Sequence, residues 1–554
     1  MKIAVAQIAP VVGDFKANIE KIKQAYQEAC SKSADLLLTP ELGVCGYPPH
    51  DLMDRPEMFT RNERALEELI GFTQGKTCVL AVGHVSQNPS ETGRKAQNTV
   101  TLLSDGKRVF SQSKMLLPTY DVFDEARYFE PAKKVTTWKW KDHAIAFAIC
   151  EDLWAQDSAF GRRLYGSDPL VEYKKQKARL ILSLSASPYE WGKNVHREKV
   201  LGGVAQSLGV PLVYVNQVGA TDEILFDGGS FAMNAKGEVI GGLPFFKTGF
   251  GILDVDLSAE KSPVWDLPVW GKRPPVSEIE ILSQGLITGI KEYFARTGFK
   301  KTVIGLSGGI DSAVVGVLAV QALGAENVLG VAMPSQFSSA HSLEDAERLA
   351  GNLGIRLQVK PIKFLFSTSS REIAEGYGQL APVALENLQS RLRGVILMTL
   401  SNHLGALVLT TGNKSELATG YCTQYGDMVG ALAPIGDLFK TRVYELARFL
   451  NQSLGTVIPT SSLTKAPSAE LKPNQTDQDT LPAYEILDEV LELYLEKSVS
   501  VIELEKKFGV WVREILKKVE INEFKRRQAA PVLKASSKAF GTGRRIPIAK
   551  RWDQ

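Results

Sequence analysis

The chain has 554 residues, 44% hydrophobic, 8% aromatic and 23% charged, proportions of a folded globular protein that exclude intrinsic disorder and a fibrous repeat. That length exceeds one ordinary hydrophobic core, so two large units are expected. The 65 basic and 62 acidic residues leave a formal charge of +3 and are spread along the chain, apart from modest basic clusters at Lys525–Arg527 and Arg544–Arg545, so nucleic acid is not an expected partner.

The chain opens on MKIAVAQIAP, a short alternating strand before turn residues Val11–Asp14. It lacks the apolar stretch and cleavage site of a secretory leader. Five cysteines (Cys30, Cys45, Cys78, Cys150, Cys422) form no CxxC pair, which fits a reducing, cytoplasmic setting better than a disulfide framework. As far as Asp256, β-rich runs (IAVAQIA, DLLLTPE, CVLAVGHV, NTVTLLS, AIAFAIC, LILSLSA, PLVYVNQV) alternate with polar amphipathic segments such as Ala17–Ser31. This predicts a layered α/β domain. Pro263, Pro268, Pro274 and Pro275 then fall in a short span that cannot sustain a helix or a central strand. The expected organisation is a first domain at 1–256, a proline-rich linker at 257–275 and a second domain at 276–554.

After the linker, Ser277 caps an amphipathic helix to about Thr297, TVIGL forms a strand, Asp311–Leu323 a helix and VLGVAM another strand. A second α/β unit with a mostly parallel sheet follows. The most apolar stretches, Ala313–Met333 and Gly394–Thr411, are interrupted by Gln321, Glu326, Asn327, Asn402 and His403, as in a buried core rather than a membrane span. Residues 461–478 show no periodicity and read as a long loop, functional or disordered. There is no internal repeat.

Three contexts in the first half each place a reactive side chain at a strand end: Glu41 in LLLTPELGVCGYPP, Lys114 in SQSKMLLP, and Cys150 in AIAFAICEDLW. A lone buried cysteine is most often a small core residue. Together, however, the three make a nucleophilic site: Cys150 attacks an amide carbonyl, Glu41 takes its proton and later activates water, and Lys114 stabilises the oxyanion. This constellation resembles the nitrilase (carbon–nitrogen hydrolase) superfamily over nearly the whole first half. The resemblance implies a four-layer αββα sandwich and a second glutamate near the lysine, for which Glu125 in LPTYDVFDEARYF is the candidate, with a structural role equally open. Tyr120, with Ser187 and Lys193 from SASPYEWGK, resembles the glutamine clamp of the glutaminase domains of glutamine-dependent NAD synthetases.

In the second half, VIGLSGGIDSAVV runs from a strand through Ser307, Gly308 and Gly309 into a helix. Glycines allow close backbone approach, helix-start N–H groups point at phosphate oxygens, and Ser307 and Ser312 add hydroxyls. It is not a Walker A loop, because no lysine sits in the turn. SGGxDS after a strand resembles the ATP-pyrophosphatase superfamily, whose members split ATP between the α and β phosphates and have a Rossmann-like parallel sheet. Further on, VLTTGNKSELATGYCTQYGDM and APIGDLFKTRVYELA carry Thr411, Glu416, Asp427 and Lys440 in the wording of NAD synthetases. The resemblance implies that ATP is bound by Gly305, Leu306, Ser307, Gly308, Gly309, Ile310, Asp311, Ser312, Thr411 and Lys440. It implies deamido-NAD binding by Asn387, Arg391, Glu416 and Lys525, and magnesium held by Asp311 and Glu416. The whole chain is thus expected to be a ligase that amidates deamido-NAD with ammonia from glutamine, passed along a shielded route, with a homo-oligomer expected by family analogy. Two other readings are a glutamine-fed amidator of another acid, as in GMP synthetases, and a nucleotide-sensing binding protein. The nitrilase-type head and the YGD and PIGDLFK runs speak against the first, and an intact nucleophile and metal carboxylates against the second.

Overall fold

The structure, a computed structural model, describes residues 1–157, 162–258, 264–266, 271, 273, 275–468, 470–472 and 475–551. The chain divides into two compact units, the first comprising Met1–Thr221 and Leu225–Ser277, the second comprising Asp222–Ile224 and the chain from Glu278.

The first unit is built around two large sheets. One has seven strands, in the order Val264–Asp266, Gly249–Asp256, Lys2–Gln7, Leu36–Leu38, Val79–Gln87, Ala96–Ser104 and Lys107–Ser113. The other has six: Val239–Gly242, Phe231–Met233, Leu212–Asn216, Leu180–Ser185, His143–Ile149 and Thr137–Trp140. The alternation of each strand decides which face meets which layer. Ile3, Val5, Leu36 and Leu38 pack with Ile145, Phe147, Leu182 and Val215 between the sheets. Ala4, Ala6 and Leu37 face the other way, against Ile19, Ile22 and Tyr26 of helix Phe15–Ser31. On the far side, Ala146, Ala148 and Ile181 pack on Tyr173 and Leu201, from helices Pro169–Lys175 and Lys193–Leu208. These are the four layers, αββα, that the sequence implied. Each fully buried aliphatic side chain contributes about 1.5–3 kcal/mol. Asp14 starts the first helix by accepting from the Ala17 N–H at 3.1 Å, so the helix begins at Phe15 rather than Ala17.

The expected linker falls largely outside the described residues, Pro263, Pro268 and Pro274 included. Within it, Val264–Asp266 forms an antiparallel edge strand on Gly249–Asp256.

The second unit is built on four strands in the order Arg356–Val359, Val328–Ala332, Lys301–Gly305, Ala406–Leu409, every pairing parallel. The order reverses between Lys301–Gly305 and Ala406–Leu409, and in open parallel sheets that switch point opens a crevice at the carboxyl ends of the strands. Helices Ile310–Leu323, Ala340–Leu353 and Pro382–Leu404 flank the sheet, and Glu278–Thr297 packs on Ile310–Leu323. The expected loop 461–478 is in part helical: Thr460–Thr464 makes one short helix and Asp477–Asp479 a 3-10 turn, with residues 469, 473 and 474 outside the description. Among the described residues no helix is long and apolar enough to cross a membrane.

Candidate active sites

In the first unit, Glu41 follows the strand Leu36–Leu38, Lys114 follows Lys107–Ser113 and Cys150 follows His143–Ile149. All three are buried. The Lys114 ammonium donates to Glu41 Oε1 at 2.7 Å and to Glu125 Oε1 at 2.8 Å. Glu41 is further held by Asn98 Nδ2 on Oε1 at 2.7 Å and by the Ala186 N–H on Oε2 at 2.9 Å. Tyr47 donates its hydroxyl to Glu125 Oε1 at 2.8 Å, and Glu125 Oε2 is buried without a hydrogen bond. Burial, followed by the neighbouring Glu41, pushes the Glu125 carboxyl up to about 7, while Lys114 pulls it down. The two carboxylates outweigh desolvation at Lys114 and hold its ammonium protonated.

Cys150 itself sits in left-handed backbone, φ 43°, and opens the 3-10 turn Cys150–Leu153. A non-glycine residue in that region is strained, and such strain clusters where a side chain must be presented. Burial and the nearby Glu41 push the thiol upward, opposed by Lys114. The resting side chain is therefore a thiol, whose proton must leave before the sulfur can attack.

Tyr120 and Lys193 converge on a residue that sequence reasoning missed, Glu151. The Tyr120 hydroxyl donates to its two oxygens at 3.1 and 3.0 Å, and Tyr165 donates to Oε1 at 2.7 Å. Burial raises the Glu151 carboxyl, and the charges of Lys114 and Lys193 pull it down. The only sequence signal was its place beside Cys150 in CEDLW. Ser187 adjoins Ala186, the donor to Glu41. Asn216 holds its main chain at 2.8 and 3.2 Å. Behind it lies a fully buried Arg197–Asp227 pair at 3.0 Å.

In the second unit, a cavity of about 470 Å³ opens at the switch point, within the range of ligand sites. Gly305, Leu306, Ser307, Gly309, Ile310, Asp311, Ser312, Thr411, Glu416, Lys440, Asn387 and Lys525 all line it. Two of the expected residues do not. Arg391 is exposed and donates Nε to Gln424 O at 3.2 Å, while Arg393 lines the wall instead, with its Nε on Met333 O at 3.1 Å. Gly308 is buried behind the turn at φ 81°, where an added Cβ would lie 2.2 Å from Ser342 O. Gly308→Ala is therefore expected to shift the whole turn. Displacements of that size cost about 10²-fold, which a steady-state assay of ammonia-driven synthesis will read. The hydroxyls of Ser307 and Ser312 also shape the turn: Gly309 N–H donates to Ser307 Oγ at 3.2 Å, and Ser312 Oγ donates to Gly309 O at 3.0 Å.

The Lys440 ammonium pairs with Asp311 and lies 3.9 Å from Glu416 Oε1. Asn413 ties the carboxylates together, donating Nδ2 to Asp311 Oδ1 at 3.1 Å and its own N–H to Glu416 Oε2 at 3.1 Å. This is a capping box at the start of helix Lys414–Thr419, legible in the sequence as N-x-x-E but not singled out. Burial and then Asp311 push the Glu416 carboxyl up to about 8, against the pull of Lys440. Two neighbouring carboxylates beside a glycine turn are the hard-oxygen set that a divalent cation satisfies, so the residues fit magnesium. Lys525 donates to the carbonyls of Gly420 at 2.7 Å and Cys422 at 2.9 Å, and Asn387 Oδ1 accepts from Thr423 Oγ1 at 2.8 Å. Asp427 Oδ1 accepts from Thr423 N–H at 2.7 Å. The aperiodic segment supplies wall residues that sequence did not identify: Lys465, paired with Glu470 at 2.6 Å, and Asp477.

Comparison with known proteins covers both units. A family model described as carbon-nitrogen hydrolase matches residues 2–262, and one described as NAD synthase matches residues 282–529. A glutamine-dependent NAD(+) synthetase of Synechocystis is 46% identical, over 99% of this chain and 98% of its own. That of Thermotoga maritima is 39% identical over 100% and 99%. The solved glutamine-dependent NAD+ synthetase of Acinetobacter baumannii, in complex with ADP, has a TM-score of 0.77 at 36% identity and covers 99% of this chain and 98% of that one. The chain belongs to the family of glutamine-dependent NAD(+) synthetases.

Proposed function

We infer that the chain is a ligase that amidates deamido-NAD in an ATP-dependent reaction, drawing ammonia from glutamine and giving NAD, AMP, pyrophosphate and glutamate. The observation that carries this reading is the presence in one chain of two different chemistries. One is a cysteine beside a Glu–Lys–Glu cluster, the other a glycine turn facing a lysine and two carboxylates.

In the first unit the Cys150 thiol attacks the glutamine carboxamide carbon and Glu41 takes the proton. Lys114 steadies the developing oxyanion, with its geometry preset by Glu41 and Glu125. Ammonia leaves, and Glu41 activates the water that releases glutamate. Tyr120, Ser187 and Lys193, with Glu151, suit the zwitterionic end of glutamine.

In the second unit the nicotinate carboxylate attacks the α-phosphorus of ATP and pyrophosphate departs. Ammonia then adds to the acyl adenylate and AMP leaves. The turn Ser307–Asp311 presents main-chain N–H groups to phosphate oxygens, Thr411 adds a hydroxyl, and Lys440 meets the charge of the departing group. Asp311 and Glu416 would hold magnesium, which neutralises phosphate charge as the α–β bond opens. Asn387 and Lys525 line the part of the cavity given to deamido-NAD. Ammonia is mostly protonated in neutral water, so passage along a shielded route favours the linked arrangement. Five free cysteines suit a reducing cytoplasm.

The test incubates the protein with ATP, magnesium, glutamine and deamido-NAD, with xanthylate as competing acceptor. NAD and glutamate in equal amounts are expected. Amidation of xanthylate in preference to deamido-NAD would refute the reading.

A further inference from the structure

The amidase side chains are divided between two sheets. Glu41 and Lys114 extend from strands of the seven-stranded sheet, Cys150 from a strand of the six-stranded sheet. The contact between those sheets is apolar, and apolar contact is non-directional: it sets spacing but leaves lateral register weakly defined. Hydrogen bonds that cross the sandwich beside the nucleophile must supply the register.

Asp152 makes such bonds. It is fully buried, two residues after Cys150. Its Oδ1 accepts the N–H groups of Met115 and Leu116, each at 2.9 Å, and its Oδ2 accepts that of Ile149 at 3.1 Å. Met115 directly follows Lys114, and Ile149 directly precedes Cys150. One carboxylate thus clamps the peptide after the lysine to the peptide before the nucleophile.

We propose that Asp152 is the positioning residue of the amidase centre: its two-oxygen clamp fixes the register between the Lys114 strand end and the Cys150 turn. This deepens the reading of Cys150 as the glutamine nucleophile and rests on it. Both oxygens are needed, because three N–H donors converge on them and a carboxylate is the side chain that accepts on two oxygens at this length. Burial pushes the carboxyl up to about 6 and the N–H bonds from Leu116, Ile149 and Met115 draw it down, which leaves it ionised at neutral pH.

The test is Asp152→Asn in the full chain. Shape is kept, but one acceptor oxygen becomes an NH2 group that faces a main-chain N–H. The kcat for glutamine hydrolysis is expected to fall about 10²-fold, with KM for glutamine within about threefold of wild type. Ammonia-driven synthesis serves as the folding control for the second unit. Amide hydrogen exchange should quicken in the peptides around Met115–Leu116 and Ile149 and stay slow in the rest of the first unit. A kcat within about twofold of wild type would overturn the proposal. So would a raised KM at unchanged kcat, which would make Asp152 a substrate-binding group, or loss of protection throughout the unit, which would make it a folding residue. If Cys150→Ala also left glutamine hydrolysis intact, the fault would lie with the nucleophile assignment instead.

Discussion

Cys150→Ala is expected to lower glutamine-driven NAD synthesis by about 10⁴-fold or more and to leave the ammonia-driven rate at the wild-type level. The size follows from the chemistry. Covalent attack by sulfur is replaced by nothing, since no other nucleophile in the Glu41–Lys114–Glu125 cluster can form the acyl intermediate. The spared rate follows from the separate cores of the two units, which place the substitution far in sequence from the phosphate turn. Steady-state assays with glutamine or ammonium chloride as nitrogen source decide it. If both rates fell together, the division of labour would be wrong.

Lys440→Ala should instead lower synthesis from both nitrogen sources, by about 10²–10³-fold, the usual cost of losing one preorganised charge at a phosphoryl site. Lys440 is buried between Asp311 and Glu416, with its ammonium 5.6 Å from the Tyr484 ring centroid. Without it two carboxylates share a desolvated pocket, and the Glu416 carboxyl, already raised by burial and Asp311, loses the charge that pulls it down. Parallel loss in both assays is the signature to look for. An undiminished ammonia-driven rate would remove Lys440 from the synthetase site.

The residues that could be read from sequence share a physical trait: each stands at the end of a strongly patterned element. Glu41 and Cys150 follow apolar strands, Lys114 directly follows the strand Lys107–Ser113, and the turn Ser307–Asp311 joins a strand to a helix, so local pattern marked their place. Arg391 is exposed while Arg393 lines the cavity, on a helix, Pro382–Leu404, that is polar on several faces. Its sequence does not say which of Arg391 and Arg393 turns inward, and a shift of two residues reverses the side. Glu151 and Asp152 were legible only as acids after a nucleophile, since their partners Tyr165, Tyr120, Met115 and Leu116 lie 14 to 37 residues away. Lys465 and Asp477 escaped because their segment has no period to read, although it forms part of the cavity wall.

The seven-stranded sheet also sets a timetable for synthesis. Lys2–Gln7 is an inner strand, but its antiparallel neighbour is Gly249–Asp256, with Lys2 opposite Asp254. On a ribosome adding about 5–20 residues per second, the first strand made waits roughly 12–50 s for that partner. Throughout that interval it carries an unpaired edge of the kind that templates association between chains. Slowing translation ahead of codon 256 should therefore increase aggregation of nascent chains, whereas slowing it later should not, because by then the first strand is already enclosed.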